Sequence, residues 1–334
     1  MIALAGLGRM GGALAERMAA AGVDLRLYDV AAAPRERFRV EHDSLAEAAA
    51  GTDLVLLCLP DAEAVEAAVH DLLGLERLPG RVVDLTSSVP EVTRRLGALL
   101  AERGAGLIDA PMSGGVAGAR QGSLTIMAGG SRQLLEDARP VLSTFASHIF
   151  WAGELGCGHA VKAVNNTLSA VSLVATSRAL KAAREPEAEA LAYFNAHRGR
   201  SQNSEVKFPR DILDRTFAAG FTIGLMRKDV GIAHGMDEEL PITAATYELL
   251  SRAAERLGPD ADFTRIFEVV EPAPPGGLAE LDGGIYSACE EAATELIGLA
   301  TAAGVDRGRA LEIVNASTGR SEATLDMAAA GAWR

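Results

Sequence analysis

Lys162 lies in a segment, His159 to Ser177, whose other side chains are largely apolar or small. A helix that is apolar nearly all round is usually buried. A lone buried ammonium is costly unless it has partners or is neutralised. At helical spacing, Asn165 and Asn166 fall three and four residues on, on the same face as Lys162. The chain therefore aims a lysine and at least one amide into one enclosed place. That pattern suits a lysine whose pKa is lowered so that it can move protons. The competing reading is a snorkelling lysine near a helix end.

Such a lysine needs a reactant and a scaffold, and the N-terminus supplies both. A strand, Ile2 to Ala5, runs into Gly6-Leu7-Gly8-Arg9-Met10-Gly11 and a helical stretch from Gly12 to Ala21. A second strand, Leu25 to Tyr28, ends at Asp29. This is the strand–helix–strand setting in which GxGxxG marks a dinucleotide site. Gly6 allows the tight turn, Gly8 lets backbone approach a pyrophosphate, and Gly11 lets helix and strand pack closely. The helix N-terminus offers N–H groups to the anion. Asp29 stands about 20 residues beyond the glycines, where a carboxylate binds ribose hydroxyls and repels a 2′-phosphate. NAD is favoured over NADP on that ground, and the nearby Arg26, Arg35 and Arg37 weigh the other way.

Strand and helix keep alternating through Asp53–Leu59, Asp61–Leu73, Arg81–Leu85 and a helix to about Arg103, then a strand from Leu107. Leu124–Met127 reads as a strand, and Val141–Phe150 completes the domain. The alternation predicts a parallel, doubly wound sheet with ligands at the strand C-terminal ends. Leu59, Pro60 and Thr86 follow strands and should face the cofactor. Ser113-Gly114-Gly115 can present a hydroxyl and backbone N–H groups to a carboxylate.

The formal net charge is −13. That argues against nucleic acid or an anionic membrane as partner. Three cysteines, Cys58, Cys157 and Cys289, form no CxxC and read as reduced thiols of a cytoplasmic protein. The six histidines are scattered without metal-ligand spacing, so no metal is expected. The N-terminus has no signal-peptide shape, and no membrane span is read.

Four segments resemble one family: GLGRMG at 6–11, DAPMSGGVAGA at 109–119, GCGHAVKAVNN at 156–166 and RKDVGIA at 227–233. In this order and spacing they resemble the β-hydroxyacid dehydrogenases, the group of 3-hydroxyisobutyrate dehydrogenase and tartronate semialdehyde reductase. The resemblance covers residues 1–270. It implies a Rossmann domain followed by an all-helical domain, and NAD-dependent oxidation of a small β-hydroxyacid, or the reverse. It implies a catalytic set of Lys162 as general acid/base, Asn166 and Ser113. Ser113, Gly114, Gly115, Asn166 and Lys228 would hold a small carboxylate substrate. Gly6, Leu7, Gly8, Arg9, Met10, Gly11, Asp29, Leu59, Pro60, Thr86, Lys228 and Asp229 would meet the cofactor. A four-carbon sugar acid is the alternative substrate, and a non-catalytic nucleotide-binding interaction protein the alternative class.

Beyond a linker at 271–277 the chain repeats itself. Asn195-Ala-His-Arg-Gly199-Arg200-Ser201 returns as Asn315-Ala-Ser-Thr-Gly319-Arg320-Ser321. Ser169-Ala170 aligns with Ser287-Ala288, which puts Glu280 and Gly284 where Lys162 and Asn166 stand. The second copy is therefore read as helical scaffold without chemistry. The expected organisation is a Rossmann domain over 1–155, a helical domain over 156–270, the linker, and a partial repeat over 278–334. Duplicated helical domains are a feature of the related 6-phosphogluconate dehydrogenases. Ala170, Ser172, Ala175 and Ser177 form a small-residue surface that permits close helix packing, and the resemblance implies that this helix lies between subunits, hence a homodimer or larger homo-oligomer.

Overall fold

A computed structural model describes residues 1–331. Contacts divide it into two compact units, Met1–Lys162 with Ala303–Val305, and Ala163–Ala302 with the remaining C-terminal residues. The division falls inside one helix, Cys157–Ala182.

The first unit is built on an eight-stranded sheet. Its strands are β1 (Ile2–Ala5), β2 (Leu25–Tyr28), β3 (Leu54–Leu57), β4 (Arg81–Asp84), β5 (Gly106–Asp109), β6 (Met112–Ser113), β7 (Leu124–Gly129) and β8 (Ala146–Gly153). They lie in the order β2-β1-β3-β4-β5-β7-β6, with β8 also paired to β7. Residues of β1 and β3 alternate between two cores. Leu4 and Leu56 face one with Leu14, Met18 and Phe145. Ala5, Val55 and Leu57 face the other with Leu72, Leu96 and Leu100. Burial on both faces explains why these strands read as unbroken apolar runs.

The first five strands are parallel, as expected, while β7 runs antiparallel to β5 and β6. A parallel return needs a crossover of about a dozen or more residues. The chain from Ser113 to Leu124 is shorter and holds only the helix Gly115–Gln121, so β7 comes back reversed. Within Val141–Phe150, the segment expected to complete the domain, the strand begins at Ala146; Val141 and Leu142 end the preceding helix, Arg132–Leu142. Leu142 and Phe145 are both core residues, which made helix end, turn and strand look like one apolar run.

The second unit is helical. Leu173, Phe194, Phe208, Val230 and Phe263 share one core with Ile285, Tyr286 and Cys289 of the repeat. The repeat therefore packs on the first helical copy. The long helix Leu278–Ala302 also sends Glu295 to cap Pro241–Leu257, where it accepts from the N–H groups of Ile242 and Thr243. Residues 271–277 hold no helix or strand. Ala170, Ser172 and Ser177, the small-residue face expected between subunits, are buried within the chain. Among the described residues, no helix is long and apolar enough to cross a membrane.

One side chain ties the sheet to the helix that carries Lys162. Asp109, fully buried at the end of β5, accepts from the N–H of Gly156 at 2.8 Å and of His159 at 2.7 Å. These are among the N–H groups that a helix start leaves without an internal partner. Space is equally tight, because a Cβ on Gly158 would stand 2.2 Å from the Met127 carbonyl oxygen. Asp109→Ala should lower stability by at least about 2 kcal/mol, since two buried N–H groups lose their acceptor. Asp109→Asn, which keeps an oxygen, should cost less. Urea unfolding of the two variants checks this; equal midpoints for wild type and Asp109→Ala would refute the anchoring role.

Candidate active site

The strand C-terminal ends form a row. Ala5, Leu57, Asp84 and Asp109 are register partners across β1, β3, β4 and β5. The loops that follow carry the expected cofactor residues. Gly6 has φ of +90°, and a Cβ there would meet the Cys58 carbonyl oxygen at 2.2 Å. A Cβ on Gly11 would stand 1.8 Å from the Gly6 carbonyl oxygen. Gly8 differs: a Cβ there meets no protein atom within 4 Å. Two glycines are thus demanded by the protein's own packing, and the third leaves room for a ligand. No side chain caps the N-terminus of the helix Arg9–Ala20. Uncapped helical N–H groups beside an open glycine fit a pyrophosphate.

Asp29 holds this loop in shape. Its Oδ2 accepts from the Leu7 N–H at 2.6 Å and its Oδ1 from the Ala31 N–H at 2.7 Å. An ionised carboxylate has about four acceptor positions, so capacity for ribose hydroxyls remains. The three arginines that weighed toward NADP each have a hydrogen-bond partner, and Arg35 stays beside Asp29. Arg26 donates to the Ala50 carbonyl, Arg35 to the Asp29 carbonyl and to Asp43, and Arg37 to Glu16. The residue after Asp29 is the exposed Val30, which carries no charge.

Behind the cofactor loops lies a buried polar cluster that the sequence did not announce. The Thr86 hydroxyl accepts from the Leu59 N–H at 3.1 Å, and the Thr86 N–H donates to Asp84 Oδ1 at 2.9 Å. His159 Nε2 lies 2.9 Å from the Thr86 carbonyl and Nδ1 lies 2.8 Å from the Thr93 hydroxyl. A carbonyl only accepts, so Nε2 carries a proton. Burial pushes the Asp84 carboxyl above the usual range, opposed by His159 at 3.8 Å. Burial, with Asp84 adding to it, pushes the Cys58 thiol up to about 12. Cys58 therefore stays a thiol and is no nucleophile at neutral pH.

Ser113 is buried at the end of β6, opposite Thr125. Gly114 and Gly115 follow with φ of +123° and +65°, a pair that side chains rarely allow. Lys162 is 7% exposed, and its burial on the helix Cys157–Ala182 matches the expectation that opened the sequence reading. Asn166 follows one turn on along the same continuous helix and is 4% exposed.

The second unit holds Asn166 in a chain of side chains. Asn166 Nδ2 donates to Asp229 Oδ2 at 2.5 Å, and Asn166 Oδ1 accepts from Asn165 Nδ2 at 3.0 Å. Lys228 stands on the helix Ile223–Met236, with Nζ 3.5 Å from the Oδ1 of the buried Asp229. Asp229, expected against the cofactor, thus has a direct partner in Asn166. Sequence reasoning missed the anchor Asp109, the ring of His159, and Thr318 and Gly319 beside Asn165. The one signal for the last two was the repeated Gly-Arg-Ser triplet.

The chain is similar to several known proteins. Residues 1–153 match the family model described as the NAD binding domain of 6-phosphogluconate dehydrogenase. Residues 156–270 match the NAD-binding region of NADP-dependent 3-hydroxyisobutyrate dehydrogenase. The NAD-dependent L-serine dehydrogenase of Pseudomonas aeruginosa is 35% identical over 248 residues, 70% of this chain and 83% of that protein. The Mycobacterium tuberculosis 3-hydroxyisobutyrate dehydrogenase, solved with L-serine, superposes with a TM-score of 0.74 at 28% identity, over 80% of this chain and 97% of that one. The 6-phosphogluconate dehydrogenase of Plasmodium falciparum shares the fold over 100% of this chain and 81% of its own, at 17% identity and a TM-score of 0.72. The protein belongs to the β-hydroxyacid dehydrogenase family and is an NAD(P)-dependent oxidoreductase acting on a CH–OH group.

Proposed function

We propose that the protein oxidises a small β-hydroxyacid with NAD, using Lys162 as the general acid/base. The observation that carries this reading is the burial of Lys162 and Asn166 one turn apart on a helix whose start is fastened by Asp109. The names of the relatives support the substrate class. Serine and 3-hydroxyisobutyrate both carry a hydroxymethyl group on the carbon that bears the carboxylate. The bound nicotinamide supplies the hydride acceptor.

The chain's own residues do the rest. Lys162 Nζ, as the neutral amine, takes the alcohol proton in oxidation, and as ammonium returns it in reduction. Asn166, its amide held by Asp229 and Asn165, orients the substrate hydroxyl. The Ser113 hydroxyl and the backbone N–H groups at Gly114 and Gly115 hold the carboxylate. Lys228 adds a cation beside substrate and cofactor. Gly6 to Gly11, Asp29, Leu59, Pro60 and Thr86 bind the dinucleotide. Residues 1–155 serve in this reading as the nucleotide domain and 156–270 as the substrate domain. The unpaired thiols of Cys58, Cys157 and Cys289 support a reducing, cytoplasmic setting. A homo-oligomer would have to use a face other than Ala170, Ser172 and Ser177, because the chain itself covers that one.

Two measurements test the proposal. Lys162→Ala should bind NADH normally, followed by fluorescence, and lose turnover by about a hundredfold or more. Near-normal turnover with 3-hydroxyisobutyrate and L-serine would sink the role of Lys162. The cofactor preference is separate. With the carboxylate of Asp29 at the ribose repelling a 2′-phosphate, kcat/KM for NAD should exceed that for NADP by at least about tenfold. Equal use of the two in steady-state kinetics would contradict it.

A further inference from the structure

The repeat, read from sequence as scaffold, reaches the neighbourhood of the active site. The two helical copies meet about an approximate two-fold relation. Ser201 and Ser321 form an antiparallel bridge, flanked by Gln202 N–H to Arg320 carbonyl and Glu322 N–H to Arg200 carbonyl, both 2.9 Å. Arg200 pairs with Glu322 and Arg320 with Glu205, so each copy lends an arginine to the other. Such reciprocity is the mark of an isologous interface, here within one chain.

The two halves of this interface are docked by different acceptors. In one half, Gly199 and Arg198 donate their N–H groups to Asp282 on the helix Leu278–Ala302, at 2.7 and 3.2 Å. In the other half, Gly319 donates its N–H to Asn165 Oδ1 on the helix Cys157–Ala182, at 2.8 Å. Docking a glycine loop on a helix needs an acceptor, and a carboxylate suffices in the first case. An amide adds what a carboxylate lacks, two N–H donors. Asn165 uses them on the Thr318 hydroxyl at 2.9 Å and on Asn166 Oδ1 at 3.0 Å. The loop comes close, because a Cβ on Gly319 would stand 2.9 Å from the Asn165 carbonyl oxygen.

We propose that the Thr318–Gly319 loop of the repeat is a positioning element of the active site. It fixes the Asn165 amide, and Asn165 sets the amide orientation of Asn166. Asn166 Oδ1 faces a donor and its Nδ2 faces the Asp229 carboxylate, so a flipped amide would meet like against like at both ends. The proposal rests on the role given to Asn166 above.

The test compares Asn165→Asp, Thr318→Val and Thr318→Ser with Lys162→Ala in the full-length protein. The substrate is 3-hydroxyisobutyrate or L-serine, whichever the wild type oxidises faster. Asn165→Asp keeps the acceptor for Gly319, so folding is retained, but it cannot donate to Asn166. Asn165→Asp and Thr318→Val should each lower kcat about tenfold or more, with KM for NAD unchanged. Thr318→Ser, which keeps the hydroxyl, should restore wild-type kcat. If Lys162→Ala is inactive while Asn165→Asp and Thr318→Val turn over at the wild-type rate, the repeat is scaffold alone. Equal loss in Thr318→Ser and Thr318→Val would likewise overturn the hydrogen-bonding role. An active Lys162→Ala would instead refute the reaction assigned to the site, whatever the other variants do.

Discussion

The two hydrogen bonds from Gly156 and His159 to the Asp109 carboxylate carry the rest of the structure. Asp109 ends a central strand, and the helix it fastens presents Lys162 one residue short of a full turn after His159. A carboxylate at a helix start also meets the positive end of the helix dipole. Lys162 is thus referred to the sheet by a short chain of rigid parts. The sheet in turn sets the glycine loop, Leu59 and Thr86, because all of them follow strands whose last residues share one row.

His159 links the same helix to the loops after β3 and β4. Its ring reaches the Thr86 carbonyl and the Thr93 hydroxyl, and Thr86 holds the backbone of Leu59. A helix start, the loops after β3 and β4 and the core of the first unit therefore share one buried polar cluster. Buried polar groups are expensive unless satisfied. The main exception among the described residues of this cluster is Asp84 Oδ2, which has no hydrogen-bond partner. Its carboxyl is the one that burial pushes upward, toward the protonated form that burial tolerates best.

Much of the fold was legible because its signals are local. Gly6 and Gly11 announce backbone contacts that leave no room for a side chain, and the structure contains those contacts. Apolar runs such as Leu54–Leu57 announce strands covered on both faces. Lys162 was legible as a charge in an apolar helix, and its burial was expected from that alone. The reversal of β7 was less so, since direction depends on the length of a connection rather than on the strand's residues. The partners of Asn166 were also hidden. Asp229 is 63 residues away and the Asn165–Thr318 pair spans 153, and no local pattern encodes such pairings. The repeat gave the two copies but not their mutual docking, in which one copy offers a carboxylate and the other an amide.

The central claim is that Lys162 moves the proton, and chemical rescue tests it most directly. Small primary amines such as methylamine, added to Lys162→Ala, offer a diffusible base in place of the missing side chain. The account expects turnover to rise in proportion to the unprotonated amine and to saturate only if the amine binds in the vacated space. A variant that is inactive, binds NADH, and shows no response to any primary amine at any pH would contradict the proton-transfer role.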